Sequence, residues 1–206
     1  MLKLFSAAGT CSLAAHIALE EAGAAYEIVP VDLAAGEQQT AAYLKLNPKG
    51  RVPALETERG ILTENPAILA FIAQSHPAAG LAPLNDPFAF AQVQAFNSYL
   101  CSTVHVAYAH GRRATRWADD PAAVAEMRRK TPQVVADCFS LIDREMLIGP
   151  WVMGQAYTIC DPYLYVFTRW LDVAGLDIAA FPRIEAHRRR IEERPAVKAV
   201  LAAVFG

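Results

Sequence analysis

Apolar and polar positions alternate quickly near the start of the chain and slowly further on. Met1–Ser6 is a short apolar run, and Ala7–Thr10 a small, glycine-containing turn. From Ser12 a helical spacing begins, with Leu13, Ile17 and Leu19 leading to a stop at Gly23. Tyr26–Leu33 alternates as a second strand. Asn47-Pro48-Lys49-Gly50 forms a turn before a third strand over Val52–Leu55. Glu58-Arg59-Gly60 is a hairpin signal, with Ile61–Thr63 as the returning strand. Asn65-Pro66 then opens a helix, Asn serving as the cap and Pro as the first helical residue. The segment between the second and third strands is expected to be irregular.

His76–Pro87 carries three prolines and a glycine and reads as a linker. Beyond it the spacing is helical almost to the end: Phe88–Gly111 and Pro121–Leu147 are long candidates, and shorter ones follow from Thr158 and Pro182. No repeat or low-complexity tract interrupts the pattern. The expected organisation is an α/β domain over residues 1–78, a linker over 79–87 and an all-helical domain over 88–206. Strand, helix, strand, irregular segment, hairpin, helix is the order of a thioredoxin-like domain.

Composition narrows this picture without redirecting it. The 206 residues are 54% hydrophobic, enough for a sizeable core, with a formal net charge of −2 and no block of like charge. A basic nucleic-acid face is not expected. No apolar run approaches the roughly 18 residues of a membrane span. Leu2, Leu4 and Phe5 are too few to form a secretory signal core before Cys11. Cys11, Cys101, Cys138 and Cys160 are scattered, so no disulfide framework or metal knuckle is expected, and a cytoplasmic location suits them.

The segments Gly9-Thr10-Cys11-Ser12 with His16, Asn47–Pro53, Thr63-Glu64-Asn65, His105 and Thr158–Asp161 occur in an order that resembles the cytosolic glutathione transferases, closest to the bacterial beta-like group. The resemblance spans nearly the whole chain. It implies a thioredoxin-like domain that binds glutathione, an all-helical domain that contributes an electrophile site, and a homodimer. It also implies a cis Val52–Pro53 bond that turns the Val52 backbone toward the cysteinyl part of glutathione, Arg51 lying beside it. Glu64 would meet the ligand's ammonium group and the following helix N-terminus its γ-glutamyl carboxylate. Asn65 stands where the family has serine, and its amide both donates and accepts.

The chemistry falls to Cys11, Ser12 and His105. The first strand ends in Phe5-Ser6, which disfavours a tyrosine mechanism. Cys11 precedes a predicted helix, whose N-terminus lowers thiol pKa values, and it can equally be a small packing residue. Ser12 is the alternative donor to a thiolate, Thr10 a turn residue and His16 a packing residue. His105 belongs to a polar stripe with Ser98, Cys101, Ser102 and Tyr108, and the resemblance sets it across the cleft from the cysteine. Ala8, Tyr108 and Arg112 are the candidate electrophile contacts; Arg112, Arg113, Arg116 and Trp117 fit the rim of the cleft and equally a solvated helix end. Thr158–Asp161 is a folding element, with Asp161 as the alternative cap before Pro162.

The expected activity is conjugation of the glutathione thiolate to small apolar electrophiles, with glutathione as co-substrate and no metal, nucleotide or other cofactor. Two alternatives stand beside it: a glutathione-dependent thiol–disulfide oxidoreductase using Cys11, and a non-catalytic glutathione-binding or regulatory protein.

Overall fold

The computed structural model describes residues 1–206. A four-stranded sheet in the order β2-β1-β3-β4 is built from β1 (Leu2–Ser6), β2 (Tyr26–Pro30), β3 (Ala54–Thr57) and β4 (Gly60–Thr63). β1 and β2 are parallel and joined through α1 (Ser12–Glu21), while β3 pairs antiparallel with both β1 and β4. Helix α2 spans Ala41–Leu46 and α3 spans Asn65–Ser75. The helical part comprises α4 (Pro87–Tyr99), α5 (His105–Arg112), α6 (Pro121–Leu141), α7 (Cys160–Thr168), α8 (Pro182–Glu192) and α9 (Pro195–Phe205). The fold is thus a thioredoxin-like sheet followed by an all-α bundle. No helix is long and apolar enough to cross a membrane.

Every residue of α1 from Ser12 to Leu19 is buried. The helix packs on β1 and α3 within its own layer and on α7 and α9 of the bundle. A helix covered on all faces gives no amphipathic contrast, and here it welds the two parts together. One apolar cluster runs from Leu4, Leu55 and Ile68 through α1 to Phe167 and Val200.

Several boundaries differ from the sequence reading. The second strand stops at Pro30, because Asp32 Oδ1 accepts the N–H groups of Ala34 and Ala35 and turns the chain. The third strand begins at Ala54, since Pro53 has no N–H for the ladder. The segment expected to be irregular contains α2, capped by Thr40, whose hydroxyl accepts the Tyr43 N–H. Asn65 is not a cap but the first residue of α3; Glu64 occupies the cap position. Arg194 breaks the terminal helical stretch into α8 and α9. Pro87 already lies in α4, and the preceding Leu81 is buried, its carbonyl accepting the Ile159 N–H at 2.9 Å.

The long candidate Phe88–Gly111 is continuous but widens over residues 100–104, where the His105 N–H reaches back five residues to the Leu100 carbonyl. α5 then lies against α6 so closely that a Cβ on Gly111 would stand 2.8 Å from Thr131 Cγ2. That approach fixes the end of α5, from which Arg112 and Arg113 project.

The turn into α7 is a buried capping box. Thr158 Oγ1 accepts the Cys160 N–H, and Asp161 Oδ2 accepts the Thr158 N–H at 2.7 Å. Thr158 is therefore the reciprocal partner, and Asp161 sits inside the helix, not at its cap. Asp161 Oδ1 also accepts the Val152 N–H at 2.8 Å and lies 2.9 Å from His187 Nε2, with both side chains fully buried. Asp161→Ala should destabilise the protein by about 3–5 kcal/mol, because it strands buried donors. A urea denaturation midpoint equal to wild type would refute this.

Candidate functional site

The loop between β1 and α1 is held from within by Ser12. Its fully buried hydroxyl lies 2.7 Å from both Ser6 Oγ and Thr10 Oγ1, and the Ala7 N–H donates to it at 3.2 Å. Thr10 Oγ1 closes the turn onto the Ala7 carbonyl at 2.7 Å. Those partners account for the one proton and the lone pairs a hydroxyl has. Ser12 does not reach the cavity that its neighbours line; it shapes the loop that carries Cys11.

That cavity, of about 640 Å³, lies between the sheet layer and the bundle. It gathers ten of the residues singled out from sequence: Ala8, Cys11, Arg51, Val52, Pro53, Glu64, Asn65, His105, Tyr108 and Arg112. On one wall the Val52–Pro53 bond is cis, and the Val52 backbone N–H makes no hydrogen bond within the protein. Beside it α3 presents its N-terminal end, where the first N–H groups lack helical partners.

Glu64, at the cap of that helix, has φ 71 and ψ 122, a region open almost only to glycine. A non-glycine residue there costs about 1–3 kcal/mol, and such outliers gather at ligand clamps. Its carboxylate lies 2.6 Å from Lys49 Nζ, which also donates to Thr63 Oγ1 at 2.6 Å. Asn65 is buried; its amide N–H donates to the Cys11 carbonyl at 2.8 Å, while Oδ1 has no protein partner.

Cys11 sits where the sequence places it, at the start of α1, but its ionisation runs the other way. The thiol is buried, with Sγ donating to the Val52 carbonyl at 3.8 Å. Burial pushes its pKa up to about 12, more than offsetting the backbone amide at the helix start and the nearby Arg113 guanidinium. An exposed helix N-terminus contributes only about 0.3–1 kcal/mol, less than the cost of desolvating a thiolate. The expected activated thiolate is thus replaced by a neutral S–H donor.

His105 faces the same cavity from the bundle. Its ring packs on Phe167 and Trp170 at centroid distances of 5.5 and 5.4 Å. Desolvation, reinforced by Arg113 and Arg51, pushes its pKa down to about 4, so the imidazole is neutral near pH 7. Its contribution to folding is complete above the ordinary value of 6.5 and is lost as pH falls through about 4.

Of the polar stripe, Cys101, His105 and Tyr108 line the cavity, whereas Ser102 is exposed and donates to the Ser98 carbonyl. Tyr108 offers only its ring, because its hydroxyl donates to the Phe167 carbonyl at 3.1 Å. His16 packs edge-on against Tyr26, away from the cavity.

Tyr163 and Trp170 also line the cavity, and sequence reasoning missed both. Trp170 Nε1 donates to the Gly9 carbonyl at 3.2 Å, tying the end of α7 to the Cys11 loop. Nothing local marks these two residues, since only the packing of α7 behind α1 turns them inward. No cluster of three or more His, Cys, Asp or Glu side chains is arranged to hold a metal.

A thioredoxin-like layer with a cis-proline edge and a loop cysteine, closed by a helical bundle, defines a class of two-part thiol-ligand proteins, and comparison with known sequences and structures agrees. Residues 1–74 match the glutathione S-transferase N-terminal domain. Glutathione S-transferase GstA of Escherichia coli O157:H7 is 32% identical over 206 residues, with 98% of each chain covered. A glutathione transferase homologue from Sulfitobacter, solved with bound glutathione, is 43% identical with a TM-score of 0.95, and a beta-class transferase from Sphingomonas chungbukensis is 36% identical with a TM-score of 0.86. Each of these two structures covers 98% of both chains. The chain belongs to the glutathione S-transferase family, among its bacterial members.

The Cys11 assignment predicts slow alkylation by iodoacetamide at pH 8, with a rate still rising above pH 10. An alkylation midpoint below 8.5 would contradict it. His105 should titrate by NMR with a midpoint below 5, and one near 6.5 would show that the ring is solvated.

Proposed function

We propose that the protein conjugates the glutathione thiolate to small electrophiles with an apolar body. The observation that carries this reading is the convergence of the Val52–Pro53 edge and the α3 N-terminus on one cavity whose opposite wall is aromatic. A peptide pairing with Val52 would use its free N–H as a strand neighbour does. The γ-glutamyl carboxylate suits the N-terminus of α3, and its ammonium group suits Glu64. Arg51 suits the other carboxylate. A Sulfitobacter homologue solved with bound glutathione supports glutathione as the ligand.

In this reading the chain acts by placement and by neutral donors. The glutathione sulfur lies near Cys11, whose S–H turns from the Val52 carbonyl to donate to the thiolate, while the proton of the ligand thiol leaves to solvent through the open mouth. His105, neutral and unpaired, offers a second donor from the bundle side. The electrophile lies against Tyr108 and Trp170, within reach of the sulfur. The thiolate attacks the electrophilic carbon, a C–S bond forms, and the leaving group departs with its electron pair into the open mouth of the cavity. Thiol–disulfide exchange at Cys11 is the weaker reading, because it needs the protein's own thiolate and burial disfavours that form. A homodimer in the cytoplasm fits the family.

Glu64→Ala should weaken glutathione binding by about 1–3 kcal/mol in calorimetry. Glu64→Gly should weaken it comparably yet leave a more stable fold than Glu64→Ala, since glycine accepts the backbone angles without strain. Unchanged affinity in both variants would reject the placement. Cys11→Ala should retain measurable conjugation of an aromatic electrophile. Complete loss with glutathione binding intact would make the cysteine indispensable.

A further inference from the structure

The mouth of the cavity carries four arginines from three places in the chain: Arg51 before β3, Arg112 and Arg113 at the end of α5, and Arg116 in the turn beyond it. None forms an ion pair or donates a side-chain hydrogen bond within the protein. Of the other arginines, Arg183, Arg190 and Arg194 are committed to backbone carbonyls or carboxylates, while Arg59, Arg128 and Arg144 also lack a side-chain partner but do not line the cavity. Glu64 is the one acidic residue lining the cavity, and Lys49 already lies against it. Asp120 is turned onto the Ala122 N–H at the start of α6.

Like charges gathered in a concave site repel one another. Burial lowers the basicity of Arg116 most, Arg113 and Arg51 add to it, and all three arginines bear on His105 beside its own desolvation. A helix C-terminus favours cations, which accounts for Arg112 and Arg113. It does not account for Arg51, which arrives from the opposite wall, or for Arg116, which lies beyond the helix.

Charge accounting separates the cluster from glutathione. Apart from the reacting sulfur, which Cys11 and His105 face, the tripeptide brings two carboxylates and one ammonium group. The α3 N-terminus, Arg51 and Glu64 match these three charges, which leaves Arg112, Arg113 and Arg116 without a partner. Next to them lie the rings of Tyr108, Trp117 and Trp170, an apolar floor in which Tyr108 and Trp170 meet edge to face.

We propose that the second substrate is an anionic aromatic electrophile, its ring on this floor and its carboxylate or similar oxyanion held by Arg112, Arg113 and Arg116. The inference rests on the glutathione-transfer reading for the reaction, but anion recognition is a property of these residues alone. Planar guanidiniums recognise a carboxylate with paired N–H donors, and a cationic funnel also raises the encounter rate of an anionic substrate. The charge is held at the mouth while the reactive ring carbon points inward to the sulfur. Attack there releases a halide or similar leaving group to solvent, and the oxyanion takes no part in bond-making.

Trp117 and Trp170 make binding readable by fluorescence quenching with nitroaromatics that lack a leaving group. The full-length protein should bind a dinitrobenzoate about tenfold more tightly than the parent dinitrobenzene, and that preference should shrink in high salt. Arg113→Gln with Arg116→Gln should erase most of the preference, whereas Arg113→Lys with Arg116→Lys, which keeps the charge, should retain part of it. Circular dichroism confirms folding, and calorimetry reads glutathione affinity in each variant. Equal affinity for the two probes in wild type, or a preference that survives the double glutamine variant, would overturn the proposal. So would a loss of glutathione affinity as large as the loss of benzoate affinity, because the arginines would then serve the tripeptide. Absence of glutathione binding in wild type would instead sink the transferase reading, leaving the probe comparison to decide anion recognition by itself.

Discussion

Burial of α1 on every face is the constraint from which the rest of the structure follows. The helix is enclosed by the sheet and α3 on one side and by α7 and α9 on the other, so neither layer has a complete core without it. The loop that enters the helix must then be rigid, because its end is locked. Ser12 supplies that rigidity with a fully satisfied hydroxyl, and satisfied buried networks hold a single geometry. Cys11 is consequently delivered to one position, at the floor of the cavity and beneath the Val52 carbonyl.

The same burial sets the chemistry. A helix start favours a thiolate, but desolvation opposes it more strongly, and the Cys11 thiol remains protonated. His105 on the facing wall obeys the same rule with the opposite sign of charge and remains neutral. Two groups that titrate easily in water are thus converted into uncharged partners for a charge brought in from outside. Charge on the protein's side stands at exposed positions, on the arginines of the mouth and on the Glu64–Lys49 pair. The cost of order is concentrated at Glu64, whose backbone is held outside the comfortable region at the point where a ligand ammonium would meet it.

Much of the fold could be read from the chain because its signals are local. The apolar run at Met1–Ser6, the hairpin at Glu58-Arg59-Gly60 and the Asn65-Pro66 helix start each act over a few residues. Three limits are equally instructive. Helix α2 escaped notice because only Tyr43 of its six residues is buried, leaving no apolar stripe to see. The widening at residues 100–104 keeps a helical appearance in sequence, since one extra residue per turn leaves no compositional mark. The exchange of cap roles at Glu64 and Asn65 depends on a left-handed backbone that sequence preference argues against.

By itself the sequence determined the order of strands and helices, the X-Pro edge, the capping box and the set of polar side chains available for chemistry. Local backbone preferences and hydrogen-bonding capacity act wherever those residues stand, so their signals survive without the fold. Tertiary structure decided which of them meet. It drew Cys11 into the cavity while turning the adjacent Ser12 away, and it brought forward Tyr163 from α7 and Trp170 from the turn that follows it. It also set ionisation, because a thiol's pKa depends on the water it loses and the charges it faces. Those depend on residues such as Val52 and Arg113, far away along the chain and adjacent only once α1 is enclosed.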